Sequence, residues 1–181
     1  KLYKTTFEPI MAFFIITLLY KEDFKMIKYA VDKHVVCHPG NLIAQNYGRH
    51  IASVNITTDT DNGYICKVGD MEGLDNYKME AATAIDAYVA MQGADGLWLV
   101  VVNEVKDART ALLYSEPLIA EESPRALTLE ANFYNDPADG PVRAYLLDSL
   151  DRFWLSADGF EGTPVKGAKI TTIQNGKPVI A

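Results

Sequence analysis

Residues 97–105 read LWLVVVNEV, and this stretch decides the fold class that we predict for the chain. Its three consecutive β-branched residues, Val100, Val101 and Val102, favour an extended strand over a buried helix. The run is also the most hydrophobic one after residue 25, which is typical of a strand in the middle of a sheet. We therefore predict a central β-strand here, with partner strands in the neighbouring segments.

Short segments with strand-like alternation lie on both sides of this strand. Residues 85–91 (IDAYVAM) alternate, and the turn-forming residues QGADG at 92–96 join them to the central strand. Residues 126–134 (ALTLEANFY) alternate as well, and NDPADGP at 135–141 has the composition of a loop. These patterns predict two further strands.

The strongest turn signal in the chain is Asn175-Gly176, because this dipeptide readily adopts the positive φ values of a tight hairpin. It separates residues 165–173 from residues 177–180, and both segments read as strands. Pro178 has no amide hydrogen, so we place the returning strand at the edge of a sheet.

Two more hairpins are predicted from the same kind of signal. Residues 50–56 and 64–68 read as strands joined by a tight turn at Asp61-Asn62-Gly63. Residues 142–147 and 152–156 read as strands joined by the four residues between them.

Residues 72–83 show no clear period and predict either a short helix or a long ordered loop. The chain as a whole predicts a mainly β fold, a sandwich or barrel of about seven or eight short strands with at most one or two short helices. No internal repeat, linker or βαβ alternation divides residues 26–181, so we predict a single β-rich domain there.

Composition limits the kinds of partner. The 181 residues include 17 Lys and Arg against 24 Asp and Glu, a formal net charge of −7, and no run gathers the basic residues. Without a cluster of Lys and Arg the sequence shows no surface suited to binding phosphate groups. Nucleic acid is therefore not an expected partner. Two cysteines are too few for a disulfide framework.

Residues 1–25 differ from the rest of the chain. The apolar run IMAFFIITLLY at 10–20 follows a basic start but is too short to span a membrane as a helix, and no small-x-small cleavage site follows it. A signal or anchor is one interpretation. The other is translated upstream sequence, because Lys21-Glu22-Asp23 can be encoded by a strong ribosome-binding sequence at a suitable spacing before Met26. We favour a product that begins at Met26, and no membrane association is expected for residues 26–181.

Potential metal ligands cluster at His34, Cys37 and His38, with His50 and Cys66 downstream. Their spacing is not that of a structural zinc site, which usually pairs its ligands closely. The alternative interpretation is that Cys37 is a buried apolar residue and His38-Pro39-Gly40 a turn. Residues 59–63 (DTDNG) resemble part of a calcium loop but fail the EF-hand pattern at its fifth, sixth and twelfth positions, so a turn is preferred. No metal or cofactor is expected.

Catalytic motifs are absent from the sequence: there is no G-x-S-x-G, no P-loop and no G-x-G-x-x-G. An enzyme is therefore not expected, and no catalytic residue is assigned. The aromatic residues are more informative. Trp98 is predicted in the core, and the adjacent Phe153 and Trp154 must point to opposite faces of their strand, which leaves one of them for an interface or under a covering loop.

The order of motifs along residues 50–181 resembles that of small virion proteins encoded beside the major capsid protein in tailed phages of Gram-positive bacteria. The motifs are a D-x-D-N-G turn at 59–63 followed by Gly69-Asp70, the LWLVVVNE strand at 97–104, the segment LEANFYNDPADGPVRAYLL at 129–147, and the exit DRFWLSADGFEGTPVKG at 151–167. The resemblance implies a head-decoration or capsid-stabilising protein, and no functional residue is transferred with it.

This resemblance implies the major capsid protein as partner, a homo-oligomer such as a trimer, and a location on the virion surface after assembly in the host cytoplasm. Three rival functions stay open. One is a tail-tube or connector component, another is a carbohydrate- or cell-surface-binding β module that would use Trp154, and the third is a small hydrolase or metal-dependent enzyme built from His34, His38 and acidic residues.

Overall fold

Strands dominate the described part of the chain, which covers residues 34–47, 50–115 and 134–181 of a computed structural model. Within these ranges there are thirteen strands and one α-helix, so the fold is mainly β, as predicted, with more strands than expected. In chain order the elements are β1 (Cys37–Asn41), α1 (Ile43–Tyr47), β2 (Ile51–Asn55), β3 (Thr60–Asp61), β4 (Ile65–Met71), β5 (Asn76–Ala81), β6 (Ala84–Gln92), β7 (Trp98–Glu104), β8 (Thr110–Leu113), β9 (Tyr134–Asn135), β10 (Val142–Leu146), β11 (Arg152–Leu155), β12 (Lys169–Gln174) and β13 (Lys177–Ile180).

Six strands form one antiparallel sheet in the order β1-β11-β7-β6-β12-β13. Alternate side chains of these strands point to the same side and bury a core, because successive residues of a strand face opposite sides of its sheet. We call this side the inner face. Among its fully or almost fully buried residues are Cys37, Ile85, Val89, Val100, Val102, Phe153, Leu155 and Ile170.

Five strands close into a barrel in the order β10-β2-β5-β4-β8, and β8 pairs back with β10. The pair β2–β5 is parallel and the other four pairs are antiparallel. Closure gives every barrel strand two neighbours, so none of them presents an edge. The interior is filled by small and medium apolar side chains: Ala52, Val54, Ile56, Cys66, Val68, Ala111, Leu113, Val142 and Ala144.

Strand β8 belongs to both cores. All four of its residues are buried: Ala111 and Leu113 point into the barrel, while Leu112 joins the core under the six-stranded sheet. Tyr145 of β10 joins the sheet core in the same way. The wall of the barrel therefore packs against the inner face of the sheet, and the opposite face of the sheet is left uncovered by the described residues.

Local sequence signals predicted several elements correctly. Strand β7 lies between β11 and β6 and is central, as expected, and the turn after β6 joins it to its neighbour. Strands β12 and β13 form the predicted hairpin, in which Asn175 and Gly176 have φ values of 50° and 72°. Pro178 lies in β13, an edge strand of the sheet, as predicted.

Two predicted hairpins are wrong, although their strands exist. Strand β2 pairs with β10 and β5, not with β4, and the turn at Asp61–Tyr64 instead follows the short strand β3, which pairs with β9. Strands β10 and β11 belong to different sheets, and the residues between them carry the chain from barrel to sheet. A turn motif fixes the local backbone direction, but packing of distant segments decides which strands pair.

Two local predictions also fail. Residues 76–81, expected in a helix or loop, form strand β5, and neither side of this strand is fully buried, which explains the missing period. His38, Pro39 and Gly40, interpreted as a turn, lie in β1, where the register with β11 shifts between His38 and Asn41, as at a β-bulge.

The leader prediction for residues 1–25 and almost all of the strand predicted at 126–134 lie outside the described residues. No helix within the described ranges has both the length and the apolar character that crossing a membrane requires.

Candidate functional site

The uncovered side of the six-stranded sheet, which we call the outer sheet face, carries two neighbouring rows of side chains. Strand register defines both rows, because residues paired across strands lie side by side on the same face. One row is His38, Trp154, Leu99 and Met91, and the other is Arg152, Val101, Tyr88 and Lys169. The first row crosses β1, β11, β7 and β6. The second row crosses β11, β7, β6 and β12.

The centre of this surface is apolar and two of its margins are cationic. Met91 and Tyr88 are 46% and 36% exposed, and Leu99 and Trp154 are half-buried beside them. Arg152 and Lys169 are exposed at opposite ends of the second row. Trp, Tyr, Met and Arg are the residue types that protein interfaces favour, and an apolar centre with a polar rim is their usual layout.

The structure confirms that Phe153 and Trp154 point to opposite faces of their strand. Phe153 is completely buried in the sheet core, and Trp154 faces the other side. Its indole ring lies against the turn after β6: a Cβ added at Gly93 would come within 3.0 Å of the ring. Trp98, predicted in the core, is only partly buried and packs against the margin of the sheet core.

The polar end of the outer sheet face forms a shallow depression of about 380 Å³, lined by Asp86, Tyr88, Asn103, Gly167, Lys169 and Thr171. Asn103 Nδ2 donates to Asp86 Oδ1 at 3.3 Å, so this carboxylate is held within the face. The depression is partly open to solvent and brings one carboxylate, one ammonium group and neutral polar groups together. Such a surface can bind a protein, but it does not enclose a substrate.

A second exposed apolar feature lies at the end of β4 and in the connection from β4 to β5. We call residues 70–75 (DMEGLD) the acidic tip. Leu74 is 96% exposed and Met71 is 59% exposed, and Asp70, Glu72 and Asp75 are exposed around them. This tip belongs to the barrel, whereas the outer sheet face lies on the side of the sheet that the barrel does not cover.

The candidate metal ligands are dispersed. His34 Nδ1 lies 3.0 Å from Asp61 Oδ1, and the other oxygen of that carboxylate accepts the Val35 amide at 3.2 Å. His38 is exposed on the outer sheet face, and His50 is exposed just before β2. Among the described residues no group of three or more His, Cys, Asp or Glu is arranged to hold a metal ion.

The two cysteines are separated as well, since each lies in a different core. Cys37 is buried under the six-stranded sheet, as predicted, and Cys66 is buried inside the barrel. Burial raises the pKa of both thiols to about 12, so both stay protonated at neutral pH. A protonated thiol is a poor nucleophile and a poor metal ligand.

The sequence did not predict that most residues of the outer sheet face lie together. Alternation along residues 85–91 puts Met91 on the same side as Val89, which is the inner face. The register between β6 and β7 shifts between Val89 and Met91, and this shift brings Met91 opposite Leu99. Lys169 reaches Tyr88 only through the pairing of β12 with β6. Only Trp154 carried a signal in the sequence, namely its neighbour Phe153.

Comparisons of the chain with protein-family models, with curated proteins and with solved structures find no match.

Proposed function

We propose that this chain is a structural protein of a tailed-phage virion, a head-decoration protein that binds the assembled capsid shell. The observation that carries the proposal is the outer sheet face, where Trp154 and Met91 lie in one row and Tyr88 lies in the neighbouring row that ends in two cations, Arg152 and Lys169. The resemblance of the motif order to small virion proteins supports a location on the virion. The exposed apolar side chains of the outer sheet face support binding to another protein.

Protein–protein adhesion fits this surface better than catalysis does. Exposed aromatic and thioether side chains bury apolar area when a partner covers them, and a rigid sheet loses little conformational entropy on binding. Arg152 and Lys169 would attract an acidic partner surface. On a symmetric shell, weak contacts repeated in many copies reinforce one another.

Purified particles of the phage that encodes the chain provide the test. Quantitative mass spectrometry should find on the order of hundreds of copies per particle, because a decoration protein follows the symmetry of the shell. A handful of copies would place the protein at the tail or connector, and its absence from purified particles would overturn the proposal.

Shells that lack the protein allow a second measurement. Purified wild-type chain should bind them in co-sedimentation, and Tyr88→Ser combined with Met91→Ser should weaken that binding. The matched control is Val165→Ser, which removes a 54% exposed apolar side chain outside the two rows. Equal binding by all three proteins would show that the outer sheet face is not the adhesive surface.

A further inference from the structure

The acidic tip has a defined shape, although its side chains project into solvent. The Glu72 amide donates to the Asn76 carbonyl at 2.8 Å and closes the tip at its base. The Glu72 side chain is also held, since Asn55 Nδ2 donates to its Oε2 at 3.2 Å. Leu74 is almost completely exposed on this ordered turn. Contact with another molecule would remove its apolar surface from water, which is favourable.

The acidic tip and the outer sheet face are opposite in charge and alike in their apolar content. The tip surrounds Met71 and Leu74 with three carboxylates, and the face carries the exposed side chains of Tyr88 and Met91 near Arg152 and Lys169, with Asp86 at its polar end. Because the whole chain carries a net charge of −7, a cation-flanked apolar surface is a specific feature of the sheet and not a general property of the protein.

The two surfaces lie on different parts of the molecule. The tip extends from the barrel, the barrel packs on the inner face of the sheet, and the outer sheet face points away from that contact. A tip therefore has no evident route to the outer sheet face of its own chain. A contact between unlike surfaces of identical chains is heterologous, and it produces a ring if the rotation closes or a filament if it does not.

We propose that the acidic tip of one copy docks on the outer sheet face of a second copy. The proposal rests on the proposed function only in taking the outer sheet face as a protein-docking surface, and it names the partner at that surface. Leu74 and Met71 lie over the apolar centre, with Asp70 and Asp75 directed to the two cations. Asp86 shares the depression at the polar end of the face with Tyr88 and Lys169, and its carboxylate accepts a hydrogen bond from Asn103, so the tip lies toward Arg152 and Met91 and away from Asp86.

A six-residue tip covers less area than a standard interface, so each contact is weak. In solution we expect a dissociation constant of up to about 1 mM, as for small transient interfaces. On a shell the copies are held close together, and the same weak contact then acts at a high effective concentration.

Sedimentation velocity of the full chain over a concentration series tests the contact. Wild-type protein should associate, and high salt should weaken the association because exposed charges are screened. Changing Asp70 and Asp75 to Lys should weaken it about tenfold, and changing Arg152 and Lys169 to Glu should do the same, because each change puts like charges together. A chain carrying all four changes should associate again, since the complementarity is restored with the signs exchanged.

Two further variants separate the apolar part of the contact from charge. Leu74→Ser should weaken association, while Val165→Ser, at another exposed apolar position, should leave it unchanged. All substituted side chains are exposed, and near-ultraviolet circular dichroism compares the packing of each variant with that of the wild type.

The outcomes are distinct. A wild-type chain that stays monomeric throughout overturns this inference, whereas binding to capsid shells, which tests the proposed function, is measured separately. A different result would be association that is weakened by changing Arg152 and Lys169 to Glu but not by changing Asp70 and Asp75 to Lys. This result would indicate that two sheet faces pair directly, and it would also overturn the inference. Failure of the four-change chain to regain association would show that the two charge sets do not meet.

Discussion

The barrel and the six-stranded sheet differ in how they cover their strand edges and apolar side chains. Each barrel strand has a neighbour on both sides, and its interior is filled by its own side chains. The sheet has two edge strands and one buried face, and its other face keeps Tyr88, Met91 and Trp154 within reach of solvent. The barrel is thus complete in itself, while the sheet leaves apolar surface for a partner. The proposed binding to a capsid shell therefore uses the sheet, while the proposed contact between copies also uses the acidic tip of the barrel.

Thiol labelling gives the largest effect that distinguishes the two regions. Each core contains one cysteine, and a pKa of about 12 instead of 9.0 leaves roughly a thousandfold less thiolate at neutral pH. Iodoacetamide should therefore react with native Cys37 and Cys66 only when the structure opens. Cys37 lies in the edge strand β1, and Cys66 lies in β4 between two barrel strands.

We expect Cys37 to react faster, because an edge strand can open alone, whereas a closed barrel opens only with most of its strands. Peptide mass spectrometry of the wild-type chain measures both rates in one sample, and reaction in denaturant supplies the reference rate. Faster labelling of Cys66 would contradict the view that the barrel is the more closed region.

Core truncations test whether the two regions unfold together. Phe153 and Leu113 are both completely buried, the first in the sheet core and the second in the barrel. Phe153→Ala should lower the free energy of unfolding by about 3–5 kcal/mol and Leu113→Ala by about 2–5 kcal/mol. Because β8 contributes to both cores, each variant should still unfold in one transition.

Urea denaturation followed by tryptophan fluorescence and by circular dichroism measures this. Both tryptophans, Trp98 and Trp154, lie in the sheet, so fluorescence reports that region and circular dichroism reports both. Phe153→Leu is the control, with a smaller loss expected. Transitions that separate between the two probes would show that the regions are independent.

Asp151 joins the two regions at the point where the chain crosses from β10 to β11. It is completely buried, its Oδ1 accepts the Ile43 amide at 2.8 Å and its Oδ2 accepts the Asp148 amide at 2.7 Å. Asp151→Ala should lower the free energy of unfolding by about 2–4 kcal/mol, because two amides lose their acceptors in a buried site. Asp151→Asn keeps one acceptor oxygen and should lose less.

Burial raises the pKa of Asp151, and the two amide hydrogen bonds offset part of that shift. In the folded chain the protonated form is therefore favoured relative to the unfolded chain. The contribution of this group to stability is greatest below the unfolded pKa and declines as pH rises through the folded pKa. Stability measured against pH for wild type and Asp151→Asn should show this decline only in the wild type, and parallel curves would contradict it.

Features that depend on neighbours along the chain were predictable from the sequence. The β-branched run at 100–102 and the Asn175-Gly176 turn correctly predicted a central strand and a hairpin, because both signals act on the local backbone. Barrel closure was not predictable in this way, since it requires β2 to pair in parallel with β5 and β10 to bridge β2 and β8. The outer sheet face has the same origin: its two rows combine segments that are far apart in sequence, and a register shift in β6 moves Met91 onto it.

The smallest effect concerns Asp107, which ties the turn before β8 to the link between β5 and β6. Its Oδ2 accepts the Thr83 amide at 2.8 Å, the Thr83 hydroxyl at 2.9 Å and the Ala84 amide at 3.0 Å. These bonds, with the Thr83 amide first, lower the pKa of the carboxyl group. The carboxylate is solvated, so Asp107→Asn should lower the free energy of unfolding at neutral pH by only about 0.5–1 kcal/mol.

A lowered pKa means that this contribution is present above the unfolded pKa and is lost as pH falls through the folded value. The difference between wild type and Asp107→Asn should therefore shrink in acid, the opposite direction to the one expected for Asp151. Asp59→Asn removes the same charge at an exposed position and controls for general electrostatics. Two results would contradict this account: a difference in the free energy of unfolding between wild type and Asp107→Asn that stays constant down to acid pH, or the same pH dependence in Asp59→Asn. Either would show that the hydrogen bonds at Thr83 and Ala84 do not depend on an ionised Asp107 carboxylate.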